Sequence, residues 1–399
     1  MVSEAMKEQE NCSPPGRVLV FTPWYPSPAE PWEGTYTHGQ VTALRALGVD
    51  ARVVKLTWGR PWIKVREVDP DDGSPLAPER RFVTAAQLAS IVRRSRLCAD
   101  SCDLILAQEV WVATALRRLP HPMVAVLHGP DPMTSSGARK DPVRKAIIRR
   151  ALGRVDALVA VGMPVPLDLP PHLRDKTTVI ENGVRPEVFA ARDVCARTRM
   201  AAPDFPRFIT VGNLTTNKNQ ELLLRCFSDI RHRWPRATWT IIGDGPQRSR
   251  LESLRNSLGL AGSVHFAGRL SPTDVAARFA ESDLFVLPSR RDAFGCVYLE
   301  AMSVGVPTIV SRRAGMAYLV EDDRYVHDPD DATEIIAKAE RILSDVEAYE
   351  NAVDLGRKLA QRYTWDAHAH RLRDVLEKVV RQRRGDASCD LSGSPDAKP

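Results

Sequence analysis

Three absences narrow this 399-residue sequence before any motif is read. No run approaches the roughly 20 apolar residues that cross a bilayer, so a membrane-spanning helix is not expected. The start, MVSEAMKEQENCSPPGR, is polar and acidic with no apolar h-region for secretion, which points to a cytoplasmic protein. Cysteines are few and badly placed for pairing: among Cys12, Cys98, Cys102, Cys195, Cys226, Cys296 and Cys389 only Cys98 and Cys102 are close. An odd, scattered set reads as free thiols in a reducing compartment, so neither a disulfide framework nor a zinc cluster is expected.

The net charge of +6 lies in short groups such as RRSR (93–96) and RKAIIRRALGR (144–154), which lack interleaved aromatics. Without stacking platforms these read as solvated helix faces, and no nucleic-acid partner is expected. In the second group Val143, Ile147, Ile148 and Leu152 are expected to share one helix face among arginines. That face leaves open a peripheral contact with a membrane, at its inner side, or an anionic acceptor. No internal repeat is present, and the small polar residues after Gly385 read as a disordered tail.

What is present is a twofold alternation of short β-branched runs with helical patterns, the signature of parallel sheets built from βαβ units. The first series is RVLVFT (17–22), ARVVKL (51–56), DLILAQ (103–108), MVAVLHG (123–129), ALVAVG (157–162) and TTVIENG (177–183). The second is RFITVGN (207–213), TWTIIGDG (238–245), SVHFAG (263–268), DLFVLPS (283–289) and PTIVSR (307–312). An α/β protein of two doubly wound domains facing a central cleft follows. Its divisions are a tail over 1–16, a first domain over 17–186, a linker over 187–206 and a second domain over 207–363. A helix over 364–384 is expected to return to the first domain, before a disordered tail over 385–399.

In such sheets ligands sit at the carboxyl ends of strands, so the residues just after each run carry the candidates. Lys218 stands near the start of a helix through Leu222, Leu223 and Phe227, where a cation opposes the helix dipole unless an anion is bound. The stretch GNLTTNKNQ is no P-loop, lacking the second glycine and the Ser/Thr after the lysine. Gly243 and Gly245 make half a dinucleotide fingerprint, but Arg248 occupies the third glycine position, so a tight βα turn is preferred. In RDAFGCVYLEAMSVGVPTIV (291–310) a helix starting near Phe294 leaves N–H groups at Gly295, Cys296 and Val297 to face an anion. Asp292 at its mouth and Glu300 within it lie a little over two turns apart, near enough to reach one ligand. Glu300 can accept two hydrogen bonds, as from a ribose; the competing reading makes both acids ordinary surface residues of the helix. Gly34, before a helix through Val41, Leu44 and Leu47, permits a close ligand approach. His128, at a strand end, is placed to donate to a sugar hydroxyl or shuttle a proton, against the commoner structural role of a lone histidine.

Taken in order, these residues resemble the family-4 retaining glycosyltransferases of GT-B fold, two Rossmann-like domains about a cleft, over nearly the whole chain. The strongest part is RDAFGCVYLEAMSVGVPTIVS, similar to that family's acid-x7-acid signature. VGNLTTNKN, IIGDGPQRSRLESL, VHFAGRLS, AESDLFVLPS and VIENGVRPEVF match in register. The resemblance implies transfer of a hexose from a UDP- or GDP-linked sugar to a hydroxyl acceptor, with no cofactor beyond the nucleotide sugar. It implies that Glu300 holds the donor ribose, that Lys218 and the amides at Gly295–Val297 hold the diphosphate, and that Asn213 and Phe294 lie in the same donor site. Asp292 would meet the sugar hydroxyls, Phe266 and Arg269 flank the base, Gly34 admit the phosphates and His128 face the transferred sugar.

Two departures stand out. Asn213 replaces an arginine common beside the glycine after the first strand of the second domain, and Asp292 replaces a glutamate. No Asp-x-Asp stands at the end of an expected strand, since DPDDATE (328–334) reads as a helix cap, so metal-independent transfer is expected. Retention comes from the family alone, there being no obvious nucleophile. Two rivals are an NAD-dependent oxidoreductase with two nucleotide-binding-like domains and a non-catalytic GT-B-like subunit. The Trp/Pro-rich TPWYPSPAEPW and LTWGRPWIKV are expected to shape the site of an acceptor (glycan, lipid-linked sugar or small natural product) that the sequence does not specify.

Overall fold

The computed structural model describes residues 16–58, 63–76, 80–82, 102–129, 142–163, 165, 169–190 and 205–385. The RRSR group, Cys98, part of LTWGRPWIKV, both expected tails and residues 191–204 of the expected linker lie outside the described residues.

Every run expected to be a strand is one. The first sheet contains β1 (Arg17–Thr22), β2 (Asp50–Trp58), β3 (Ile63–Val68), β4 (Arg80–Phe82), β5 (Leu104–Gln108), β6 (Met123–Leu127), β7 (Ala157–Ala160) and β8 (Thr177–Val179). The second contains β9 (Arg207–Val211), β10 (Thr238–Ile242), β11 (Val264–Gly268), β12 (Leu284–Val286), β13 (Thr308–Ser311) and β14 (Val326–His327). Their orders are β4-β3-β2-β1-β5-β6-β7-β8 and β11-β10-β9-β12-β13-β14. All pairings are parallel except β2–β3 and β3–β4. From Val18 onward β1 is buried on both faces, as a parallel strand covered by helices on each side requires. Of the three strands that the sequence does not announce, β4 and β14 are edge strands and β3 lies next to the edge; all are either short or polar in alternation, so no continuous apolar run marks them.

Strand order reverses between β1 and β5 in one sheet and between β9 and β12 in the other. At these switch points the loops beyond the strands diverge and leave a crevice. Helix Thr35–Ala46 follows β1, helix Gln220–Arg233 follows β9 and helix Cys296–Val304 follows the β12 loop. The acid-bearing helix begins at Cys296, with Gly295 as its left-handed N-cap, two residues later than the sequence suggests.

The last helix, Trp365–Arg384, is capped by Thr364 and packs on the first domain. Its Trp365 lies so close to Gly39 that a Cβ there would come within 2.5 Å of the indole nitrogen. Arg383 and Arg384 pair with Asp156 and Asp103, each at 2.6 Å. The segment entering the expected linker is itself packed: Phe189 is buried, and Ser303 Oγ donates to its carbonyl at 2.7 Å. On helix Pro142–Gly153, Ile148 and Leu152 are buried while Ile147 is 45% exposed, so the expected single apolar face is split; the Val143 side chain lies outside the described residues.

Candidate active site

Beyond β9, Gly212 and Asn213 turn the chain away from the sheet, and Gly243 does the same beyond β10. A Cβ on Gly243 would come within 2.1 Å of the Gly212 carbonyl, so two βα turns pack backbone to backbone and leave open the wall above them. That wall bounds a cavity of about 160 Å³ between the domains. Glu300 enters it from the helix Cys296–Val304, Arg185 and Phe189 from the segment joining the domains, and Arg269 with Leu270 from beyond β11. Trp32 and Thr35 of the first domain close the opposite side, and the Arg269 guanidinium sits 5.9 Å from the Trp32 ring centre.

Burial pushes the Glu300 carboxyl up to about 7, with Arg185 pulling the other way. A half-buried acid in an apolar helix, facing a cavity, is a group built to be paired by a ligand's hydroxyls. Arg185 is itself oriented by His38, which accepts from its guanidinium at 3.3 Å.

A second cluster adjoins the first. Lys218 Nζ donates to Asp292 Oδ1 at 2.6 Å, and both side chains are largely buried. Asn217 Nδ2 donates to the Arg291 carbonyl at 2.6 Å and the Arg290 amide to the Asn217 carbonyl at 2.8 Å, which stitches the two loops together. Lys218 Cε would lie 3.8 Å from a Cβ on Gly212, so the pair stands at the cavity wall. Asp292 Oδ2 is buried with no hydrogen-bond partner among the described residues.

From there the loop reaches the first domain. Cβ atoms on Gly129 and Gly162 would meet Ala293 at 2.7 and 2.5 Å, so two glycines at strand ends let the Asp292–Gly295 loop rest on β6 and β7. His128, beside Gly129, packs on Tyr36 with ring centres 4.5 Å apart and hydrogen-bonds through Nε2 to Gln108 Oε1 at 2.6 Å. Burial holds its imidazole neutral, pushed down to about 3.

Asn213, Arg269 and Glu300 line the cavity; Lys218, Asp292, Gly295 and His128 extend along the cleft beside it. Two expected side chains are placed elsewhere. Phe294, expected in the donor site, has its ring in the core, 1% exposed. Phe266 lies outside the lining, with the guanidinium carbons of Arg248 and Arg255 at 5.7 and 5.6 Å from its ring centre. Trp32, in the stretch expected to shape the acceptor site, lines the Glu300 cavity. Gly34 is required by the chain itself: its φ is +62°, and a Cβ there would meet the Trp24 carbonyl oxygen at 2.3 Å. Cys296, the first helical residue, has its thiol pushed up to about 12 by burial and accepts a hydrogen bond from Asn182 at 3.4 Å, while Val297 is half-buried beside it.

Two Asp-x-Asp segments do follow strands, contrary to expectation. Asp69–Asp71 follows β3 and Asp328–Asp330 follows β14, two strands that the sequence hides. Asp71 pairs with Arg45, and Asp330 with Arg290 at 2.7 Å and Arg313 at 3.1 Å. Asp331 caps the helix Ala332–Ser344, its side chain accepting from the Glu334 amide. Among the described residues no group of three His, Cys, Asp or Glu side chains is placed to hold a metal ion.

Family models match both halves of the chain: Glycosyltransferase Family 4 over residues 34–188 and Glycosyl transferases group 1 over residues 199–359. The chain belongs to the family-4 glycosyltransferases. This assignment takes in the acid-x7-acid helix and sets aside the oxidoreductase alternative, consistent with Arg248 opening a helix where a third fingerprint glycine would stand. The sulfoquinovosyl transferase SQD2 of Arabidopsis thaliana is 28% identical over 191 residues, 47% of this chain and 36% of the relative. A GDP-mannose-dependent phosphatidylinositol monomannoside mannosyltransferase of Mycolicibacterium smegmatis is 29% identical over 208 residues, 49% of this chain and 54% of the relative. The chain thus spans about half or less of the length of these relatives. Among solved structures, the sucrose-phosphate synthase of Thermosynechococcus elongatus superposes with a TM-score of 0.69 at 20% identity, covering 93% of this chain and all of that one. Anabaena HepE in complex with UDP-glucose gives 0.68 at 17% identity, covering 91% and 99%. These likenesses fix the GT-B architecture of two Rossmann-like domains. Among the described residues no helix is long and apolar enough to cross a membrane.

Proposed function

We propose that this family-4 glycosyltransferase moves a hexose from a UDP- or GDP-linked donor to a hydroxyl acceptor, with retention at the anomeric carbon and without a metal or other cofactor. The observation that carries the reading is Glu300, a carboxylate raised to about 7 in a cavity floored by the glycine turns of β9 and β10. Ribose hydroxyls would supply the two donors it lacks. HepE, solved with UDP and UDP-glucose, and the GDP-mannose-dependent relatives support a nucleotide-sugar donor of either base.

In this reading the diphosphate takes Lys218 and the first-turn amides of the helix at Cys296 as its charge partners. These preorganised donors stabilise the charge that builds on the leaving group as the sugar becomes oxocarbenium-like. Asn213 adds no charge, so Lys218 is the main cation there. Asp292 Oδ2, buried and unpartnered, accepts from a sugar hydroxyl, and His128 faces the sugar from the first domain. The same placement of Lys218 and Glu300 speaks for catalysis over a scaffold role. A relative named as a phosphatidylinositol monomannoside mannosyltransferase and a structural neighbour named as a sucrose-phosphate synthase keep the acceptor class within hydroxyl-bearing glycans, lipid-linked sugars and small molecules; a cytoplasmic site with peripheral membrane contact suits all three.

The test is hydrolysis of a panel of nucleotide sugars by the full chain in EDTA, followed by mass spectrometry of acceptor pools. UDP- or GDP-sugar turnover that persists in EDTA is expected. Turnover that disappears in EDTA and returns with Mn²⁺ or Mg²⁺ overturns the metal-independent account, and binding without turnover favours the non-catalytic subunit.

A further inference from the structure

His128 stands at one end of a line of buried polar side chains that runs away from the cleft into the first domain. Its Nε2 contacts Gln108 Oε1 at 2.6 Å, Gln108 Nε2 contacts Gln40 Oε1 at 2.5 Å, and Gln40 Nε2 contacts His368 Nε2 at 2.8 Å. The line ends where His368 Nδ1 meets the backbone carbonyl of Glu181 at 2.8 Å. Gln40 and Gln108 are fully buried and His368 nearly so. The four side chains come from helix Thr35–Ala46, the end of β5, the end of β6 and the C-terminal helix, so the line exists only in the folded molecule.

The far end has a fixed polarity. A carbonyl oxygen only accepts, so His368 Nδ1 carries a proton. Burial keeps this imidazole neutral, down to about 4, and its Nε2 is therefore a lone pair. Gln40 must present its amide N–H to that lone pair and its oxygen to Gln108. Gln108 in turn presents N–H to Gln40 and its own oxygen to His128. Each amide has one orientation that satisfies both neighbours, and in the dry interior the reverse orientation of either leaves two donors or two acceptors facing each other.

We infer that Gln40, Gln108 and His368 are positioning residues that hold the proton of His128 on Nε2 and leave Nδ1 as a lone pair, making the imidazole an acceptor toward a sugar hydroxyl. This rests on the proposed transfer reading and makes His128 an acceptor where the sequence suggested a donor to a sugar hydroxyl or a proton shuttle. The C-terminal helix thereby acts on the cleft: its His368, which touches no ligand in this reading, sets the tautomer of a side chain two amides away.

Long-range proton–nitrogen NMR on the full chain with labelled histidine reads the tautomer directly, with no substrate needed. The His128 signals are assigned by their loss in His128→Gln. In the wild-type protein at pH 7, His128 is expected with a protonated Nε2 and a bare Nδ1. Gln40→Met does not touch His128, yet frees Gln108 to turn over, so mixed His128 tautomers are expected while UDP affinity stays within about two-fold of wild type. Sugar release from the donor found active should fall about ten-fold, the size of one lost hydrogen bond. Gln40→Glu, which keeps an acceptor toward Gln108, should restore the single His128 tautomer and raise the pKa of His368; it carries the test if the methionine variant does not fold. A wild-type His128 protonated on Nδ1, or an unchanged tautomer in Gln40→Met, overturns the inference. A correct tautomer response in a protein that turns over no nucleotide sugar leaves the relay standing and removes the transfer reading instead.

Discussion

Lys218 Nζ lies 2.6 Å from Asp292 Oδ1, an ion pair that joins the loop after β9 to the loop after β12. Two residues with separate tasks in the sequence reading are one unit in the free protein. In the proposed reading a diphosphate shares the lysine with an acid whose second oxygen is buried and has no hydrogen-bond partner among the described residues.

Replacing Lys218 by alanine should lower transfer by about two to three orders of magnitude, as when a preorganised charge stabiliser is removed. It also strands Asp292, at a cost of about 1–3 kcal/mol in stability. The double variant Lys218→Ala/Asp292→Asn should recover the melting temperature but not the activity. Melting curves and transfer rates for the three proteins decide this; activity of Lys218→Ala within a few-fold of wild type removes the lysine from the diphosphate site.

Glu300 and Asp292 should fail differently. Glu300→Gln replaces an acceptor-only carboxylate by an amide with one oxygen, so free UDP or GDP should bind more weakly. Asp292→Asn should leave free-nucleotide affinity nearly unchanged while transfer falls, and Asp292→Glu should alter the preference among donor sugars. Titration of free nucleotide against both variants is the check, and equal losses refute this division.

The raised carboxyl of Glu300 makes a stability prediction with a definite sign. The folded group titrates near 7 and the unfolded one near 4.5. Between those values the native state holds more protons, so its stability falls as pH rises through the window. At pH 8 the penalty reaches about 3 kcal/mol. Glu300→Gln should therefore be the more stable protein at pH 8, with the difference shrinking toward zero at pH 4. Denaturant unfolding across this range tests it, and a wild type that gains stability over the variant from pH 5 to 8 contradicts it.

Gly162→Ala places a methyl group 2.5 Å from the Ala293 carbonyl oxygen. The Asp292–Gly295 loop must lift from β7. If the Glu300 cavity holds the nucleotide as proposed, nucleotide affinity should stay within a few-fold, while transfer falls about ten-fold or more because the proposed sugar-side groups lose their alignment. Binding and turnover measured on the same preparation separate the two effects.

The sequence by itself determined the two parallel sheets, because buried parallel strands are written as continuous β-branched runs and every such run became a strand. It also marked Lys218, Asp292 and His128 as candidates in the segments beyond strand ends, which border the crevice at the switch points, and Glu300 by its helical spacing from Asp292. Gln108 ends β5 by the same rule and was open to notice, but an isolated glutamine carries no signal without its neighbours. Only the tertiary structure decided the rest. Phe294 went to the core and Phe266 to a flank under two arginines, because an aromatic ring takes whichever apolar surface the packing offers. Arg185, Phe189 and Trp32 reached the cavity from segments with no regular pattern. Gln40 and His368 are separated by 328 residues and met at 2.8 Å. A hydrogen bond between buried side chains depends on where the last helix docks, and no local periodicity encodes that.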